Sequence, residues 1–150
     1  AAKAEAWADM RSTFERAVTE ASKVEGGAYS SQVLLRWMRM EAYSAREVDA
    51  TIKVGDRLVE TWGSYYNVWN AYIVAVQHAM AMTKSDAHST LRATFERAMA
   101  QIADYPEQMR TDFIQFEREC GTFETWRQAQ RKVQVKQDEA QQQQQQQLQQ

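Results

Sequence analysis

Little in this sequence interrupts regular structure. One proline and five glycines among 150 residues leave few places for a chain break, which favours long helices over many short strands. A single cysteine excludes a disulfide framework within the chain and a multi-cysteine zinc site. His78 and His88 are too few for a metal site without a carboxylate cluster beside them, and no metal or other cofactor is expected. Lys and Arg total 18 against 20 Asp and Glu, a formal net charge of -2. That balance argues against indiscriminate nucleic-acid binding, which rests on phosphate neutralisation. The first ten residues lack the basic start and apolar run of a secretion signal. The chain opens directly in helix-like sequence, as a segment of a longer protein does. Thr61 to Thr83 is uncharged and long enough to cross a bilayer. Yet Asn67, Asn70, Gln77 and His78 lie inside it, and amides in hydrocarbon cost kilocalories. The segment is expected to be a helix buried between neighbours, with no membrane span.

What is present is apolar side chain, 44% of the residues, with 11% aromatic. It recurs with helical spacing. Met10, Phe14, Ala17, Val18 and Ala21 share one face, as do Val48, Ile52, Gly55, Val59 and Trp62. Trp69, Tyr72, Ile73, Val76 and Met80 share another, then Leu91, Phe95, Ala98, Met99 and Ile102, then Met109, Phe113, Phe116 and Cys120. No stretch alternates with period two. Gly26-Gly27 ends a first helix, and Ser30 or Ser31 is a cap for the next. Ser44 to Glu47 reads as a capping box. Ser85 and Asp86 suit a helix starting near Ala87. Pro106 suits a first turn, Gly121 a C-terminal cap, and Thr122 an N-cap. Seven helices follow, at about 3–25, 31–44, 46–62, 65–83, 87–104, 106–120 and 122–140. The short connections make consecutive helices antiparallel neighbours.

The sequence repeats. Arg11-Ser12-Thr13-Phe14-Glu15-Arg16-Ala17 returns as Arg92-Ala93-Thr94-Phe95-Glu96-Arg97-Ala98. A degenerate intermediate copy runs from Val54 to Leu58, with Gly55 in place of the Phe. The partner helices repeat as well. Leu34, Trp37, Met40 and Glu41 keep the spacing of Arg110, Phe113, Phe116 and Glu117. Trp69, Tyr72, Ala75 and Val76 keep the spacing and lose the Glu. A helical hairpin cannot bury both faces alone, so such units must stack. Phe14, Trp37, Trp69, Tyr72 and Phe95 are the expected packing residues between units. Phe14 and Phe95 should be buried equivalently.

The helix bearing aromatic-x-x-aromatic-x-x-Phe-Glu, with its Arg-x-x-Phe-Glu-Arg-Ala partner, resembles the HAT (half-a-TPR) repeat. The likeness covers about residues 5–136. It is strongest at 11–17, 92–98 and 110–121. The run from Asp104 to Glu107, then from Phe116 to Trp126, resembles the last repeat of the U4/U6 snRNP recycling members of that family. The resemblance implies an all-α, right-handed solenoid of antiparallel hairpins over residues 1–140, followed by a glutamine-rich tail at 141–150. It further implies a non-enzymatic nuclear scaffold in pre-mRNA splicing, which dimerises and recruits protein partners, a deubiquitinating enzyme among them. The dimer contact is expected around Phe113, Phe116, Phe123, Trp126 and Val133. A HAT protein of mRNA 3′-end processing and a direct RNA-binding module are the alternatives.

Other features read as structure rather than chemistry. Cys120 lies on an apolar face with no base nearby, so it is expected in the core. The recurrence of Glu15-Arg16 as Glu96-Arg97 points to ion pairing between stacked units. Trp62, Tyr65 and Tyr66 are the aromatics best placed for base stacking. Arg110, Arg118, Arg127, Arg131, Lys132 and Lys136 are interleaved with Asp112, Glu117, Glu119 and Glu124, so direct RNA contact by this segment is not expected.

Overall fold

The computed structural model describes residues 2–86 and 88–149, and among these all regular structure is helical. Seven α-helices run in order: α1 Ala2–Ser22, α2 Ser30–Met40, α3 Val48–Trp62, α4 Tyr66–Thr83, α5 His88–Gln101, α6 Pro106–Cys120 and α7 Phe123–Leu148. The chain forms two compact units, Ala1–Asp104 and Tyr105–Gln150.

In the first unit each helix packs on the next, and α2 also meets α4. The pairs are antiparallel. Arg11 meets Glu41 and Phe14 meets Trp37, while Trp69 reaches Gly63 and Tyr72 reaches Ile52. The uncharged α4 sits in the middle. Trp69, Tyr72, Ile73, Ala75, Val76, Ala79 and Met80 are all buried, because α2, α3 and α5 cover it. No helix among the described residues is long and apolar enough to cross a membrane. The second unit is the α6–α7 hairpin. Its buried residues are Met109, Phe113, Phe116, Glu117, Ala129 and Val133.

Several boundaries differ from the sequence expectations, each for a local reason. α1 stops at Ser22, and a short 3-10 turn at Glu25–Gly27 follows, with Gly26 and Gly27 at positive φ. Neither serine caps α2. Its N-cap is Tyr29, and Ser31 Oγ donates backwards to the Ala28 carbonyl. The capping box at Ser44–Glu47 does not form. α2 instead runs into one turn of π-helix, Glu41–Ala45, closed by Arg46 in the left-handed region. The Arg46 and Glu47 N–H groups both donate to the Glu41 carbonyl, so the main chain itself satisfies the donors that side chains were expected to hold. A capping box does form at Thr122, where Thr125 returns the hydrogen bond. Gly121 takes the expected C-cap position, in extended rather than left-handed conformation. Ala87 lies outside the described residues, so the helix start expected there is described only from His88, whose N–H faces Asp86 Oδ1 at 3.5 Å.

α5 ends at Gln101, short of Asp104, because the segment after it turns back on the α3–α4 connection. Ala103 N–H donates to the Ser64 carbonyl at 2.9 Å, and Asp104 accepts from Tyr66 N–H at 2.8 Å. Asp104 thereby caps α4 from a distance in sequence. α7 runs on to Leu148 through the glutamines, with every residue from Gln137 to Gln149 exposed.

Candidate functional site

Two surfaces of the first unit concentrate polar and aromatic side chains. The first is a cleft of about 650 Å³ beside α1, α2 and α3, lined among others by Arg11, Glu15, Trp37, Glu41, Lys53 and Arg57. Glu41 is buried, and the Arg11 guanidinium meets its carboxylate with two nitrogens, at 2.9 and 3.0 Å. The hydrogen bonds that Arg11 donates to the Glu41 carboxylate hold the Arg11 pKa above its usual value. A charge so buried is tolerated only when paired and hydrogen-bonded in this way.

Above that pair runs a ladder that repeats from layer to layer. Glu15 on α1 grips Arg57 on α3 at 2.8 Å, and the Arg57 guanidinium lies 5.3 Å from the centre of the Trp37 ring. Asp56 on α3 grips Arg97 on α5 at 2.9 Å, and Arg97 lies 5.4 Å from the Trp69 ring. The acid of one helix therefore holds the arginine two helices on, and an aromatic from the helix between lies under the cation. Partial burial works against the Arg97 charge, but Asp56 outweighs it and raises the pKa. Both pairs are substantially solvent-exposed, so each ion pair contributes about 1 kcal/mol or less. Their role is register. An arginine seated on a ring and tied to an acid fixes the offset between successive helices.

The middle layer departs from the sequence repeat in a compensated way. The sequence aligns Tyr72 with Trp37, yet Trp69 carries the cation. Tyr72 fills the space left by Gly55. A β-carbon at Gly55 would stand 2.8 Å from the Tyr72 ring. Tyr72 Oη then donates to Asp56 at 2.8 Å. Burial and that hydrogen bond push the Tyr72 pKa far above the usual phenol value. The charge pair is missing from both sides of this layer, since Ile52 stands at the position of Arg11 and Val76 at that of Glu41.

Of the expected packing residues, Trp37, Trp69, Tyr72 and Phe95 are buried. Phe14 is half-buried, stacked on Trp37 with ring centres 5.8 Å apart. It differs from Phe95 because α1 opens the first unit, with α2 as its packing partner, so no described side chain of α1 is fully buried. In the second unit Phe113, Phe116 and Val133 are buried, Trp126 is half-buried and Phe123 is 68% exposed. Cys120 is exposed, against the core position expected of it. It lies on the last turn of α6, beside the exposed Arg118 and Glu119. Partial desolvation and the nearby carboxylates of Glu119 and Glu117 raise its pKa, which disfavours a nucleophilic thiolate. No group of three His, Cys, Asp or Glu among the described residues could hold a metal ion. His78 instead stacks on Tyr43, ring centres 4.0 Å apart.

The second surface lies on the opposite, outer side of α2 and α4, and sequence reasoning missed it. A hollow of about 220 Å³ there is lined by Arg39, Tyr43, Asn67, Asn70, Ala71, Val74 and Ala75. The signal was present as an absence. No acidic residue occurs from Gly26 to Met40, or from Thr61 to Ser85.

No protein-family model matches the chain. The chain is similar to a splicing factor. It is 25% identical over 135 residues to the zebrafish (Danio rerio) protein described as spliceosome associated factor 3, U4/U6 recycling protein. The alignment covers 85% of this chain and spans 14% of that protein's length. Similarity at that level fits a distant relation, and it extends across both compact units.

Proposed function

We propose that this chain is a non-enzymatic, protein-binding scaffold built of HAT repeats, forming a right-handed solenoid, and that it acts in the nucleus in pre-mRNA splicing, in U4/U6 snRNP assembly and recycling. The observation that carries the reading is the similarity to the zebrafish recycling factor along most of the chain. The repeated acid–arginine–aromatic ladder supports it, because such a ladder sets the spacing of stacked hairpins and performs no reaction. The narrower resemblance, to the squamous-cell-carcinoma antigen recognised by T cells, adds self-association and recruitment of a deubiquitinating enzyme.

Self-association is the testable part. Exposed aromatic side chains clustered on one helix mark a contact surface. Here Phe123 is exposed beside the half-buried Trp126, ring centres 5.7 Å apart, with the Arg127 guanidinium 5.8 Å from Phe123. Aromatic and arginine side chains are the usual anchors of interfaces. Of the five residues expected at the dimer contact, Phe123 and Trp126 are the ones left for a partner, since Phe113, Phe116 and Val133 are already buried. Light scattering coupled to size exclusion at tens of micromolar should give twice the chain mass of 17.4 kDa. Trp126→Ala should weaken the dimer more than Trp7→Ala, at the other end of the chain. A clean monomer mass would refute self-association. Tight binding of U6 RNA by this chain alone would overturn the scaffold reading in favour of an RNA-binding module.

A further inference from the structure

The outer face of α2 and α4 is unlike the rest of the molecule. In a chain with more acids than bases, α4 carries no charge at all and α2 carries only arginine. Arg36 and Arg39 are exposed, and neither forms an ion pair with an acidic side chain among the described residues. The acid that directly follows α2, Glu41, is buried and committed to Arg11. Arg36 and Arg39 are three residues apart and so share one helix face. Arg39 lines the outer hollow together with Tyr43 and the amides of Asn67 and Asn70. Tyr43 is 43% exposed, and His78 backs its ring in a stacked arrangement.

We propose that this face binds single-stranded RNA. The arginines take phosphates, Tyr43 stacks a base, and Asn67 and Asn70 hydrogen-bond that base's edge. Each part is the chemistry such a strand requires. Bases splayed from a single strand stack on aromatic rings and are read on their exposed edges, while the backbone follows a positive track. An acidic peptide would use the arginines but would have no use for a backed aromatic ring flanked by two amides. The site is small, with on the order of two phosphate contacts, so binding is weak, tolerant of sequence and salt-sensitive. The inference goes beyond the scaffold reading and does not rest on it. A weak auxiliary contact of this kind differs from the tight U6 binding that would overturn that reading.

Fluorescence anisotropy of the whole chain with a labelled oligouridine of about twelve nucleotides tests the proposal. Between about 50 and 200 mM KCl, log K should fall against log salt with a slope near -1.4, about 0.7 per phosphate for a single strand. Arg36→Ala and Arg39→Ala should each weaken binding and flatten the slope by about 0.7. Tyr43→Ala should weaken binding roughly ten-fold and leave the slope unchanged. Arg131→Ala on α7 should leave both unchanged. These are surface substitutions, and far-UV circular dichroism checks that each variant stays folded. The proposal is overturned by absence of saturable binding, or by a loss that follows Arg131 rather than Arg36 and Arg39. It is equally overturned if a labelled oligoglutamate peptide binds as well as the RNA and Tyr43→Ala changes neither.

Discussion

The buried Arg11–Glu41 pair invites a double-mutant cycle whose answer the middle layer already suggests. Replacing Arg11 by Ile leaves the Glu41 carboxylate, 1% exposed, without its cation. Removing one partner of a fully buried pair costs about 3–5 kcal/mol. Arg11 is 39% exposed, so water partly screens the charge left behind, and the expected cost falls to about 2–3 kcal/mol. Glu41→Val alone removes the charge that needs burying and leaves an arginine able to turn to solvent, so it should cost less, about 1 kcal/mol. The double variant puts Ile and Val where the next layer carries Ile52 and Val76. Replacing both charges by packed aliphatics is often neutral or stabilising, so it should fall within about 1 kcal/mol of the parent, a coupling of about 3 kcal/mol. Urea unfolding followed by tryptophan fluorescence measures all four corners. Additive single and double effects, or an Arg11→Ile cost below about 1 kcal/mol, would refute the idea that Glu41 is held by its partner's charge.

Three further outcomes are expected. Gly55→Ala gains about 1 kcal/mol of helix propensity. It nonetheless forces a methyl into the Tyr72 ring, so a net loss of about 1–2 kcal/mol is expected in urea unfolding, and a stabilised variant would remove the close-approach argument. Tyr72→Phe should lose about 1.5 kcal/mol with the hydrogen bond to Asp56. Because the folded state raises the Tyr72 pKa, the stability it adds is complete below the unfolded value near 10 and is lost as pH rises beyond it. Thermal unfolding of the Phe variant should therefore lose less stability above that pH than the parent does. Thr122→Ala should cost about 1 kcal/mol, read as a lower thermal midpoint, because the capping box at the start of α7 is lost.

The helices were legible because their signal is local. A 3.6-residue apolar period, one proline and a few capping residues give all seven elements, and α6 falls at the predicted boundaries. The Arg-x-x-Phe-Glu-Arg-Ala repeat exposed the stacking logic, and the pairing of its acids and arginines between successive layers was expected. The failures are non-local. The cap of α4 comes from Asp104, far along the chain. The closure of α2 by Arg46 depends on main-chain geometry that a Ser-x-x-Glu pattern does not encode. Cys120 kept the apolar spacing but sits on the exposed last turn of its helix. The exchange of roles between Trp69 and Tyr72 follows from a missing side chain at Gly55, whose consequence appears only when two helices meet. The outer cationic face was missed because net charge averages over the chain, whereas the fold sorts acids and arginines onto different faces.

The far half of α7 leaves its mark on how the gene can vary. Past Lys136 no described side chain is even half-buried, and the residues from Gln141 to Gln147 are identical. Adding or dropping one glutamine there lengthens or shortens the helix by about 1.5 Å and turns whatever follows by about 100°. No core contact upstream is disturbed. The glutamine run can therefore gain or lose residues without a folding cost, while the same slip anywhere within α4 would displace buried residues such as Trp69 and Tyr72. Length variation among related genes should concentrate here.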